Sequence, residues 1–401
     1  MLQLQALLIP LVLAFAPATA RVQESAVPAS AGAQDPDAPW TAWCADFAKA
    51  LNERDPSAYD RCVDAGAIID RAQKGVPGRK SFMTGFKEGA LTTMSGGQGT
   101  FAELTNALEM GGHVDFLRLR GTPGARTALF RIVRAEAGVE YLEFELARGK
   151  DEPARAVDVY VASSGERSSD TLRRWLIPTA ANDDRGLIDR LIGEEQVLAR
   201  HWKVVEKLID AVKSRSVESF AKQLSKLPDE LRRDKTILLM RIKMFPPDDP
   251  RYVEAIGEVR RYFPDDPCTV LHSIDWFFLQ KDYKAALAEL SRLDAWAGGD
   301  PYLNVLCGNI LVAAEDWDGA RKVAREAIAA GLGWPDPYWV LITVSLRQQR
   351  YDETLSVLIE MDLNFEFNWV DFTTLEEYQG FAASSQHAQW LEHLAEKARA
   401  R

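Results

Sequence analysis

Three aromatic residues, Tyr283, Trp317 and Tyr351, stand 34 residues apart, and each opens a similar phrase: D-Y-K-A-A-L at 282–287, D-W-D-G-A-R at 316–321, R-Y-D-E-T-L at 350–355. Each phrase closes a unit that begins with Asp-Pro, at 266–267, 300–301 and 336–337. A fixed period of this length marks a supersecondary unit that cannot bury its apolar face alone and must stack on its neighbours. Proline is tolerated at the first helical position and aspartate caps it, so each Asp-Pro starts a helix. The first helices are expected at 268–280, 302–314 and 338–347, with turns at 281–282, 315–316 and 349–350. The second helix starts at the aromatic residue. Three positions on it carries Ala286, Ala320 or Thr354, small enough for close approach to the first helix.

The pattern resembles the tetratricopeptide repeat family. The aromatic residue, the small residue and the second-helix apolar positions Leu290, Ala324 and Leu358 match it. The family's glycine occurs once, as Gly308, where Ile274 and Ile342 stand in the other units. Its large first-helix residues are partly kept, as Phe277, Leu311 and Ser345. The resemblance implies a groove lined by the first helices that holds a peptide. The matching columns are Leu271, Val305 and Trp339, then Asp275, Asn309 and Thr343, then Phe278, Val312 and Leu346. Trp339 and Phe278 are candidate anchors for an apolar side chain; the alternative is that both pack against neighbouring units. Asn309 matches one residue of the clamp the family uses for peptide carboxylates. These columns contain no Lys or Arg, so the full clamp is not expected.

Charge narrows the partner. Residues 246–401 hold 26 Asp and Glu against 14 Lys and Arg, whereas residues 40–178 hold 19 of each. An acidic helical array repels phosphate backbones and anionic lipid, so nucleic acid and membrane surfaces are not the expected partners; a protein or peptide is. Solvated acidic helix faces are the plainer reading of the same charge.

Residues 1–20 read as an export signal: an apolar core from Ala6 to Ala16, then Ala18-Thr19-Ala20, an A-x-A cleavage pattern, although no Lys or Arg precedes the core. The core is short for a membrane span, and no membrane insertion is expected after cleavage near Ala20, leaving a periplasmic or secreted protein. Residues 21–39 are rich in Ala, Pro, Ser and Gln and read as a tether. Four cysteines suit an oxidising compartment. Cys44 and Cys62, on consecutive predicted helices, are a candidate disulfide, while Cys268 and Cys307 are expected to be free.

Residues 40–178 change character midway. Helices are expected at 40–52, 57–63, 67–73, 81–94 and 101–108. Alternating strands follow at 114–120, 127–134, 139–147 and 154–162, divided by turn sequences. The fold class is therefore an α+β domain, helices on a four-stranded antiparallel meander, followed by an all-α helical-repeat solenoid at 183–401. Helices followed by a curved meander resemble the cone-shaped fold of nuclear transport factor 2 and ketosteroid isomerase. That resemblance implies a pocket between sheet and helices. His113, Arg131, Asp158 and Tyr160 are its polar candidates, with a desolvated Asp158 as a possible general base. The competing reading is a half-buried meander whose polar residues face solvent or pair across strands, Asp158 with Arg131 for example. Val157, Val159 and Val161 are expected to share the opposite face.

No G-x-S-x-G, H-E-x-x-H or Walker A sequence occurs, the five histidines form no ligand spacing, and no C-x-x-C is present. Neither cofactor nor metal is expected. A break is expected at 178–184, then a long helix at 187–213, helices at 217–227, 236–245 and 252–263, and final helices at 369–381 and 386–400. Tyr378, Phe381, Trp390 and Leu391 are expected to cap the last apolar face. Two functions remain: an exported, non-enzymatic interaction protein using the helical groove, or a small-ligand binder or enzyme using the sheet's pocket.

Overall fold

The computed structural model describes residues 37–55, 57–95, 108–109, 112–122, 125–134, 138–149, 153–331 and 333–400. The export signal, nearly all of the tether and most of the helix expected at 101–108 lie outside the described residues. The chain falls into two compact units, Ala33–Leu279 and Gln280–Arg401. Among the described residues no helix is long and apolar enough to cross a membrane.

The first unit opens with helices α1 (Ala38–Asn52), α2 (Ala58–Cys62), α3 (Ala65–Gln73) and α4 (Lys80–Ser95). Strands β1 (His113–Thr122), β2 (Ala125–Arg134), β3 (Gly138–Ala147), β4 (Arg155–Val161) and β5 (Glu166–Arg167) follow. They pair antiparallel in chain order. The two-residue β5 is a fifth strand too short to show an alternation in sequence. Period-two alternation sets the faces. Phe130, Ile132, Leu142, Phe144, Leu146 and Val159 point into one core with Trp43, Phe47 and Leu51 of α1. The Phe47 ring meets Phe130 and Phe144 edge-on at 5.8 and 5.2 Å. The register shifts between Glu145 and Leu146, so Asp158 faces Glu145 while Ala156 faces Leu146. Val157 is therefore the extra residue of a bulge, and Ala156 takes the core place expected for it. Cys44 lies in this core and Cys62 at its edge, both as free thiols, so the bond expected between them is not formed; Cys268 and Cys307 are free as well.

Helix α5 (Ser168–Asp183) carries Pro178 inside it and does not end there. A 3-10 turn (Arg185–Arg190) comes next, then α6 (Gly193–Lys213), α7 (Val217–Leu224), α8 (Asp229–Arg232), α9 (Lys235–Met244), α10 (Pro250–Tyr262) and α11 (Pro267–Leu279). The single helix expected at 187–213 is thus divided at Leu191-Ile192, where the backbone is extended. Polar contacts fasten the turn after β4 to these later helices. His272 Nε2 lies 3.2 Å from the Ser163 carbonyl, and Lys235 Nζ donates to the Gly165 carbonyl at 2.8 Å and to Asp266 at 2.7 Å. Arg174 donates to Glu166 at 2.6 Å and to Asp234 at 3.0 Å. The compact unit accordingly continues past 178–184 to Leu279.

The second unit comprises α12 (Tyr283–Ala297), α13 (Leu303–Ala313), α14 (Trp317–Ala329), α15 (Asp336–Arg347) and α16 (Tyr351–Asn364), then 3-10 turns at Phe372–Thr374 and Glu376–Tyr378, α17 (Gln379–Ala382) and α18 (Ser385–Ala400). The 34-residue spacing reappears in the backbone. Lys281, Glu315 and Gln349 all sit at positive φ, 60°, 59° and 55°. Asp282 and Asp316 then cap the next helix, accepting from Ala285 N at 3.1 Å and Gly319 N at 3.0 Å; Arg350 supplies no such cap. Ala286, Ala320 and Thr354 are fully buried. Gly308 has a packing reason, because a Cβ there would lie 2.9 Å from Val340 Cγ1. In the last pair Ser345 and Thr354, both fully buried, join their hydroxyls at 2.8 Å.

Near the C-terminus Phe372, Tyr378, Phe381 and Trp390 are buried together, whereas Leu391 is 53% exposed and caps nothing. The helix expected at 369–381 is replaced by 3-10 turns as far as Tyr378, and only α17 at its end is helical. Asp371 bonds Thr373 N and Oγ1, at 2.9 and 2.8 Å, and this local bonding competes with a helix.

Candidate functional site

The four residues expected to line a pocket on the sheet are all placed but not brought together: His113 and Arg131 meet on Asp115, Asp158 lies in a separate cluster, and Tyr160 faces Glu143. Asp158 is 1% exposed. Its Oδ2 accepts from Arg71 Nη1 at 2.9 Å and Ser169 Oγ at 2.5 Å, and its Oδ1 from the backbone of Val159 and Ser169. Arg71 reaches out from α3 and also grips Glu145 with two bonds of 2.7 Å. A carboxylate held from both oxygens in this way ties α3 and α5 to the sheet, and no oxygen is left over to take a proton from a substrate.

Arg131, two strands away, donates to Asp115, and His113 Nε2 lies 3.4 Å from the same carboxylate. Arg131 is opposite Tyr141 and Tyr160 opposite Glu143, so the expected Asp158–Arg131 pair does not exist. Burial, and then the Arg131 charge, hold His113 well below its ordinary pKa, which keeps it neutral. Burial also raises Tyr160, beyond the physiological range.

The helical candidates divide between the units. Leu271, Asp275 and Phe278 lie on α11 of the first, all buried, and Asp275 accepts from the Tyr252 hydroxyl at 3.1 Å. The second unit holds the other six. Val305, Asn309 and Val312 lie on α13, and Trp339, Thr343 and Leu346 on α15. Trp339 is 6% exposed and packs edge-on against Phe367 and Trp369, at 6.1 and 6.2 Å. These two rings belong to the extended stretch after α16, which the sequence did not associate with Trp339. Thr343 Oγ1 is turned inward onto the Trp339 carbonyl at 2.8 Å. Asn309 differs from the rest. It is 3% exposed, and among the described residues its Nδ2 finds no acceptor.

A feature that the sequence did not reveal lies within the first unit. A cleft of about 1010 Å³ opens between α5, the start of α6, α8 with the start of α9, and the end of α10. Its lining includes Asp170, Arg174, Glu194, Glu230, Lys235 and Tyr262, and none of His113, Arg131, Asp158 or Tyr160. Its walls come from four stretches between 165 and 263, and no local motif marks them. Among the described residues no group of three or more His, Cys, Asp or Glu is placed to hold a metal ion. No family model matches the chain, and no curated protein or solved structure matches it either.

Proposed function

We propose that this chain is an exported, non-enzymatic protein-interaction protein whose helical half is a tetratricopeptide-like solenoid behind a cone-like α+β domain. Its ligand is a peptide segment of a partner, held on the first-helix face formed by α13 and α15. The observation that carries this reading is the Asn309 amide, buried and without an acceptor among the described residues. An unsatisfied buried donor costs about 1–3 kcal/mol, which is recovered when the first-helix face opens enough for a ligand carbonyl to reach it. Trp339, on the next first helix, is packed against Phe367 and Trp369 and fixes the shape of that face. The engagement of both Asp158 oxygens favours the interaction reading over acid–base chemistry on the sheet.

The test is capture from an exported fraction by the chain without residues 1–20. A polypeptide retained by the unchanged protein and lost from both Asn309→Leu and Trp339→Ala supports the assignment. Asn309→Leu should also melt at or above the parent temperature, since it removes an unsatisfied donor. Full retention by both variants would sink the proposal.

A further inference from the structure

We propose that the cleft between α5, α6, α8 and α10 docks a Lys- or Arg-bearing polypeptide segment of a partner, separately from the first-helix face. The cleft's cations are already engaged and several of its carboxylates are not. Arg173 donates to Glu195 at 3.0 Å and to the Ala72 and Lys74 carbonyls at 3.2 and 2.8 Å. Arg174 is shared between Glu166 and Asp234, and Lys235 between Asp266 and the Gly165 carbonyl. To reach Arg173, Arg174 or Lys235 an anion would have to break these pairs, at a desolvation cost. The carboxylates of Asp170, Glu194 and Glu230 are in the opposite position. They come from three different helices, all are exposed, and none has a side-chain partner among the described residues.

The remaining cation, Arg233, lies over the Tyr262 ring at 5.6 Å. The chain thus shows at its own wall that this ring, 37% exposed, accepts a guanidinium. The apolar part of the lining is Ile177, Val197, Leu198 and Phe263. The aliphatic stems of Lys and Arg lie well on such a surface while their heads reach carboxylates. The cleft, about 1010 Å³ and open to solvent, has room for a few residues of polypeptide. Because the Arg173, Arg174 and Lys235 pairs are already made, a cationic segment leaves them intact, and only Arg233 has to give up the Tyr262 ring.

The experiment titrates the chain without residues 1–20 calorimetrically with the blocked peptide Lys-Leu-Lys-Leu-Lys and with its Glu-for-Lys counterpart. The double variant Glu194→Lys/Glu230→Lys is compared with Glu376→Lys/Glu377→Lys, an equal charge change at exposed positions of the second unit. Tyr262→Ala is a third variant that leaves the net charge unchanged. The expected result is one saturable site for the Lys peptide and none for the Glu peptide. Binding should weaken about tenfold or more in the Glu194/Glu230 variant and several-fold in Tyr262→Ala, and change less than about twofold in the control. Equal losses in the two double variants would reduce the effect to general attraction by an acidic chain, and full binding by the Glu194/Glu230 variant would remove the site; either result overturns the proposal. The Asn309→Leu protein should bind the Lys peptide normally, so failure of the first-helix reading is seen separately.

Discussion

His113 and His272 are buried, and both are held well below the ordinary histidine pKa, in each case first by burial. The sign of the consequence follows from the two states. The unfolded chain takes up a proton on each imidazole near pH 6.5, while the native state does not. Stability is therefore intact above that pH and falls as the pH drops through it, by up to about 1.4 kcal/mol per pH unit for each histidine. Asp362 acts in another window. Burial alone would raise it, but Lys397, Trp369 and His393 donate to it at 2.8, 2.7 and 2.8 Å and hold it below its ordinary value. Its contribution is present above the usual carboxylate range and disappears only as the pH falls below about 4. Losses between pH 7 and 5 thus belong to the histidines. His272→Gln retains a donor for the Ser163 carbonyl and removes one titration. Urea unfolding at pH 7, 6 and 5 should show a markedly shallower loss of stability in this variant than in the parent. An unchanged slope would mean that His272 is protonated in the native state.

At the scale of elements, the turns at 281, 315 and 349 carry non-glycine residues in the left-handed region, where an L side chain costs about 1–2 kcal/mol. Glycine relieves that strain but loses about 0.4–1 kcal/mol through the unfolded chain. Glu315→Gly should therefore be neutral or slightly stabilising. Lys322→Gly, on exposed right-handed helix, should cost about 1 kcal/mol. Chemical denaturation of the two variants checks the order; a Glu315→Gly loss as large as that of Lys322→Gly would exclude left-handed backbone at Glu315. The sequence located these turns through the 34-residue period but not their backbone, because Lys, Glu and Gln have no turn chemistry to read. The strands were legible for a plain reason: Phe130, Ile132, Leu142 and Phe144 alternate with Arg131, Glu143 and Glu145. The bulge at Val157 was not, since a one-residue register shift leaves the alternation looking intact. The helix read across 187–213 was too long because Leu187, Leu191, Val197 and Leu198 keep an apolar rhythm across Gly193. Asn309 is legible through its column, although its unsatisfied amide is a fact of packing. The cleft had no signal, since its charged lining is indistinguishable in sequence from solvated helix faces.

For the whole molecule, composition suggested a boundary at 178–184, where Pro178 and the polar Asn182-Asp183-Asp184 interrupt the apolar pattern. Contacts across that point outweigh it. Leu176 and Ile177 on α5 are buried with Ala180, Ala181, Leu187 and Leu191, all within one apolar cluster. Ending the chain after Pro178 would strip four of these seven buried members from Val76, Leu176 and Ile177. It would also remove the partners of the Ser163 and Gly165 carbonyls. Loss of a single buried Leu costs about 2–5 kcal/mol, and a domain has about 5–15 kcal/mol in all. Residues 37–178 alone should therefore lack a cooperative thermal transition, whereas residues 37–279 should melt in one step. Circular dichroism melts, with hydrogen exchange at the backbone of β4 and α5, distinguish the two fragments. Cooperative unfolding and protected β4 amides in the shorter fragment would show that the sheet and its helices suffice, and that α6–α11 only rest on them. Protection appearing only in the longer fragment would establish that the sheet draws its stability from helices that the sequence pattern assigns to the repeats.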